Sequence, residues 1–201
     1  MISDYTSLQT DLLSWMERDD MTAQVSLFIR LGERRIYREI RIDSMESALS
    51  VTLAAGVATI PADYLELKQA YIDGNPVQPL QVKTSEFIFN TYPNRTADSK
   101  PSYIATDAGS FIFGPYPDSD YVLKGTYYKR LTVLSSTNTT NYFTGDGGDL
   151  LFWASLAEAE TFLKNDERIN LWEARYQMAK KEIMKERRRG RLSGILRSTP
   201  R

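Results

Sequence analysis

The sequence predicts an α+β chain. Two N-terminal and two C-terminal helices form a bundle that brackets a small inserted antiparallel β domain, and an extended basic tail follows. Three observations carry this: apolar residues recur at helical spacing at both ends, a middle stretch of period two is crowded with turn residues, and the charge is strongly uneven along the 201 residues.

At the front, Leu8, Leu12, Trp15 and Met16 fall on one helical face, with Asp4 or Thr6 placed to cap it, and the polar break "ERDD" ends the run. A second helix is expected over about residues 22–42, with Val25, Ile29, Ile36 and Ile40 on one face. Leu27, Phe28 and Leu31 widen that face, which predicts burial between several neighbours. Gly32 either permits a close helix approach or is an exposed, mildly destabilising glycine.

From Ser47 to about Leu134 the period changes to two. "ALSVTLAAGVATIP" reads as two short strands around a turn, and "YLELKQAYIDGNPVQPLQV" as a pair with the hairpin signal "DG". "SEFIFNTYP" is a short helical turn stopped by Pro93, "PSYIATDAGSFIFGPYP" a third hairpin, and "DYVLKGTYYKRLTVL" a long strand. Short strands at this spacing predict a small sandwich or barrel. Its aromatic residues (Tyr103, Phe111, Phe113, Tyr116, Tyr121, Tyr127, Tyr128) could stack nucleic-acid bases, but packing within a core is their commoner use.

A polar loop, "SSTNTTNYFTGDGGD", leads to a helix over residues 150–164 that is apolar almost all round. Asp166 can cap the next, where Ile169, Trp172, Tyr176, Ala179 and Ile183 recur at intervals of three and four as a packing seam. Glu173, Arg175, Gln177 and Lys180 lie opposite, facing solvent or a polar partner. The expected domains are residues 1–44 with 149–186 (helical), 45–148 (β, with the polar loop) and 187–201 (tail).

That last helix runs into "KERRRGRLSGILRSTP". Nine of the 25 Lys and Arg residues but two of the 26 acids lie in residues 180–201, a local charge of +7. The other 179 residues carry 16 basic and 24 acidic side chains, a charge of -8. Such asymmetry points to a partner for the tail.

The chain has no His and no Cys. Ser-His-Asp and Cys-His nucleophile systems, disulfides and nearly all zinc sites are thereby excluded. Two carboxylate pairs, Asp118 with Asp120 and Asp146 with Asp149, sit among Gly, Pro and Ser, where Asp serves turns and caps. No phosphate-binding glycine motif and no calcium loop occurs, so no catalytic residue, metal or cofactor is expected. No stretch approaches about 20 apolar residues, and the first residues lack the basic flank and apolar run of a secretory signal.

The order "KPSYIATDAGSFIFGPYPDSDYVLKGTYYKRLTVLS", then "TN", then "LLFWASLAEAETFLKNDERINLWEARYQ" resembles the head-to-tail adaptor (connector) proteins of tailed bacteriophages, short-tailed ones especially. The likeness covers roughly residues 60–180. One departure is "YYKRL", where relatives tend to have Pro after the two tyrosines.

The resemblance implies a structural virion protein, assembled in the host cytoplasm, whose copies form a ring of typically twelve under the portal protein. Such a ring passes the DNA channel on, without sequence-specific binding, to the tail nozzle and fibre proteins, and touches no membrane. It further implies that the C-terminal segment leaves the last helix to dock on the portal. Here that assigns Arg187, Arg188, Arg189, Arg191 and Arg197 to portal carboxylates, Ile195 and Leu196 with Gly194 to a small apolar anchor, and Gly190 and Gly194 to backbone turns. The competing reading is a nucleic-acid-binding module gripping phosphates with the arginine tail. A carboxylate-based hydrolase is a remoter third.

Overall fold

The computed structural model describes residues 2–163 and 166–192, and it divides into two compact units, residues 1–44 with 131–201 and residues 45–130. The first unit is built on four helices: α1 (Tyr5–Met16), α2 (Val25–Glu39), α4 (Gly148–Leu163) and α5 (Asp166–Leu192). Of the two caps expected for α1, Asp4 is the one used. Its carboxylate accepts the Ser7 N–H at 2.7 Å, and the Ser7 hydroxyl accepts the Asp4 N–H at 3.0 Å, which closes a capping box. The helix ends where Glu17 turns left-handed (φ 54°).

Helix α4 is the hub, packing against α1, α2 and α5. It buries Leu150, Leu151, Ala154, Leu156, Ala157 and Ala159, as an apolar circumference requires. Leu8, Leu12 and Met16 of α1, and Val25, Phe28, Ile29 and Ile36 of α2, are buried too. At Gly32 helix α2 meets α4 so closely that a Cβ there would lie 2.9 Å from Ser155 Oγ and 3.1 Å from Ser155 N. The close-approach reading of this glycine is the right one. Helix α2 is shorter than its apolar period, running 25–39, because Ile40 leaves the helical region for extended backbone.

The loop that composition groups with the strands lies in the helical unit. Leu134, Phe143 and Thr144 are buried there, and the Tyr5 N–H donates to the Thr139 carbonyl at 2.7 Å. Leu134 just before this polar run, and Phe143 and Thr144 within it, are the anchors that seat it.

The second unit holds two four-stranded sheets. One has the order β1 (Glu46–Thr52), β8 (Val122–Lys129), β3 (Tyr64–Ile72), β4 (Gln78–Pro79) and is antiparallel throughout. The other runs β2 (Val57–Thr59), β7 (Ser110–Gly114), β6 (Tyr103–Asp107), β5 (Gln81–Val82), antiparallel except where β5 lies parallel to β6. A short helix α3 (Ser85–Thr91), capped by Thr84, follows β5. Leu49, Ile72, Ile104, Phe111, Phe113 and Leu123 form the unit's buried core, with Tyr127 beside them. Gly125 lies where β8 crosses β3 so tightly that a Cβ would fall 2.2 Å from the Gln69 carbonyl oxygen.

Candidate docking site

Along α5 the predicted seam points inward: Trp172, Tyr176, Ala179 and Ile183 are buried and Ile169 is half-buried. The flank of α5 beside this seam meets a polar partner, α2, through Glu173, Tyr176 and Lys180, while Arg175 is exposed. Arg35 gives Nη2 to both Glu173 carboxylate oxygens at 2.7 Å and Nε to Glu39 Oε1 at 3.1 Å. The Lys180 ammonium and the Tyr176 hydroxyl both donate to Glu39 Oε2, at 2.7 and 2.9 Å. The Arg35 guanidinium lies 4.2 Å from the Tyr176 ring centre. Burial pushes the Glu39 carboxyl up, but the bonds from Lys180, Tyr176 and Arg35 outweigh it and hold the group below its ordinary range. For Tyr176, burial first and Glu39 next push the hydroxyl well above a normal phenol.

This lattice fixes α5 to α2 up to Lys180, and one more tie follows. Arg187 donates Nε to Asp43 Oδ1 at 3.1 Å and Nη1 to the carbonyl of Arg41, just beyond the end of α2. Its side chain is only 15% exposed, so the first arginine of the predicted docking run is engaged with the chain's own body. A hollow of about 260 Å³ beside it is lined by Ile42, Asp43, Ser44, Tyr142, Ile183 and Glu186.

The rest of the run divides by position. Arg188 is exposed, while Arg189, Gly190 and Arg191 continue the α5 backbone to Leu192. Gly194, Ile195, Leu196 and Arg197 lie outside the described residues, as does the link at 164–165. The Asp166 side chain, expected as a cap, is likewise outside them.

One member of each carboxylate pair has a local partner. Asp118 accepts the Tyr121 hydroxyl at 2.7 Å, and Asp149 Oδ1 accepts the Leu150 N–H at 2.8 Å in the first turn of α4. Asp120 and Asp146 are exposed. Among the described residues no three His, Cys, Asp or Glu side chains gather as a metal site. The aromatic group of the β unit is spent on packing: Phe111, Phe113, Tyr127 and Tyr128 are buried, and Tyr116 donates its hydroxyl to the Ala55 carbonyl at 2.8 Å.

Sequence reasoning missed Glu33, which is buried to 1% exposure. Its Oε1 accepts the Leu134 N–H at 3.3 Å and Asn141 Nδ2 at 3.4 Å, and Oε2 has no partner among the described residues. Burial raises its carboxyl to about 7, against these two donors and the nearby Arg30. A signal existed: residue 33 falls in phase with Ile29, Ile36 and Ile40, on the face reserved for the core.

No curated protein matches the chain. A family model described as SU10 adaptor protein matches residues 3–198, which takes in both units, the seam of α5 and nearly all of the basic tail. The chain therefore belongs to the SU10 adaptor protein family, the head-to-tail adaptors of tailed bacteriophages.

Proposed function

We propose that copies of this chain form a ring, twelve by the family resemblance, beneath the portal at the capsid vertex, continue the DNA channel and receive the tail nozzle and fibres below. The observation that supports this best is a family match continuous through residue 198, on a chain whose last helix is fastened to its body as far as Arg187. The body is the base, and the residues after that clamp are the reaching arm. Arg188, Arg189, Arg191 and Arg197 then meet portal carboxylates, and Ile195 and Leu196 give the arm an apolar tip. Arg187 has the different part of closing the base.

A body charge of -8 outside residues 180–201 suits a lumen through which DNA must slide at ejection, since basic stripes along it would retard the passage. Subunits are made in the host cytoplasm and join the virion at the head-tail interface. Binding to the portal brings a conformational change with it, because rings closing early would sequester free subunits. A ring formed by the purified chain alone would remove this last part.

The test is mass by light scattering of the chain with cognate portal rings, intact and lacking residues 188–201. Addition in a fixed multiple by the intact chain alone supports both the ring and the arm. Failure of both to bind the portal, with salt-sensitive retardation of duplex DNA by the intact chain, would replace the reading with a phosphate-gripping module.

A further inference from the structure

The helical unit carries two surface features that its own packing leaves uncovered, and their chemistry is opposite. The first is a ridge on α2. At about 100° per residue, Leu27, Arg30, Arg34 and Arg38 fall within about 80° of one another, roughly opposite Gly32 and therefore facing away from α4. All four are exposed, Leu27 to 46%. Arg34 and Arg38 have no hydrogen-bond or ion-pair partner among the described residues, whereas Arg30 acts at a distance on Glu33 and Tyr5. The ridge is about 16 Å long, with an arginine about every 6 Å.

The second is a hollow of about 320 Å³ between α1 and α4, lined by Ile2, Asp11, Trp15, Asp149, Phe152 and Trp153. Its wall is aromatic: Trp15 lies edge-on to Phe152 and Trp153, with centroids 5.4 and 5.3 Å apart, and remains 48% exposed. Two carboxylates, Asp11 and Asp149, stand in that apolar surround, with Asp146 exposed close by in sequence. On α4 the hollow's residues centre roughly 110° round from Ser155, the residue that meets Gly32. Ridge and hollow thus look outward in different directions.

A closed cyclic ring needs such a pair: each subunit must offer two different patches, one fitting the other on the next copy. Exposed tryptophan in a partly enclosed apolar site is the kind of group that anchors an interface. We propose that the α2 ridge of one copy seats in the α1/α4 hollow of its neighbour, Leu27 against the Trp15 and Phe152 rings and Arg30 and Arg34 on Asp11 and Asp149. This inference rests on the ring reading above and specifies its contact. A nucleic-acid strand fits the ridge less well, because it would leave Leu27 and the aromatic hollow uncovered.

The absence of cysteine makes the test clean. The full chain is made as Arg34→Cys, as Asp149→Cys and as the double variant, loaded on cognate portal rings, oxidised mildly and run on a non-reducing gel. A second pair, Arg30→Cys with Asp11→Cys, covers the case in which the first lies outside disulfide reach. The expected result is a ladder of covalent multimers from the double variant, dimers and nothing larger from the two single variants mixed, and monomers from each single variant alone.

Dimers from a single variant would mean that like surfaces meet, which overturns the proposal. So would portal loading of both double variants at the full multiple, by light scattering, with no ladder from either; the ring would then stand and only this contact fall. If neither the double variants nor the unaltered chain load the portal, the ring reading fails and this contact with it.

Discussion

Replacing Glu33 with Gln tests whether a buried carboxylate works against the helical unit. The group is raised from an ordinary 4.5 to about 7 by burial. Below pH 4.5 folded and unfolded chains both hold the proton, and Glu33 makes no pH-dependent difference. As pH rises toward 7 the unfolded chain releases its proton first, so the folded state loses ground across that window, and above it the loss is constant. At ~1.36 kcal/mol per pH unit the folded chain gives up about 3 kcal/mol by pH 8. Glutamine keeps an oxygen for the Leu134 N–H and Asn141 without the charge. Glu33→Gln should therefore leave stability nearly unchanged at pH 4.5 and raise it by up to about 3 kcal/mol at pH 8. The corresponding shift in melting temperature is roughly 6–12 °C. Tryptophan fluorescence is the right monitor, because all three tryptophans (15, 153 and 172) lie in the helical unit. A variant less stable than the parent at pH 8, or a difference that does not vary between pH 4.5 and 8, would refute the reasoning and mean that the charged form is held favourably, with Arg30 the first group to examine.

Other outcomes follow from distances already given. Gly32→Ala gains about 1 kcal/mol of helix propensity, but its Cβ meets Ser155 backbone as well as Oγ, and overpacking of about 1–3 kcal/mol wins. The melting temperature should fall, and adding Ser155→Ala should recover only part of it. Gly125→Ala places a methyl against the Gln69 carbonyl; the β unit should lose its near-ultraviolet circular dichroism while the tryptophan signal of the helical unit persists. Tyr176→Phe removes one donor to Glu39 and should cost about 1–2 kcal/mol in urea denaturation. Asp4→Ala opens the capping box of α1 and should cost about 1 kcal/mol in the same assay.

Elements whose burial repeats along one chain segment were legible in the sequence. Leu8, Leu12 and Met16, or Trp172, Tyr176, Ala179 and Ile183, declare a face without knowledge of what covers it. What depends on partners distant in sequence was not legible. The strands β1 and β2 are neighbours along the chain, yet they enter different sheets because β8, some 70 residues on, claims the edge of β1. The polar loop reads as part of the strand domain until its few apolar residues find the helices. At the candidate site, composition located the basic run, but not that its first arginine is held by the chain's own body. Arg187 differs from Arg188 only by a helical step that turns its guanidinium toward the Arg41 carbonyl and Asp43.

The pairing of β1 with β8 has an evolutionary consequence. These are the first and last strands of the inserted unit, and Glu46 stands directly across from Tyr128. The chain therefore enters and leaves that unit one strand spacing apart, about 5 Å, a gap that a tight turn can bridge. Topologically the β unit is a graft on a single loop. It can be lengthened, exchanged or deleted in descendants without rethreading the helices, so that selection can tune the two units on separate schedules.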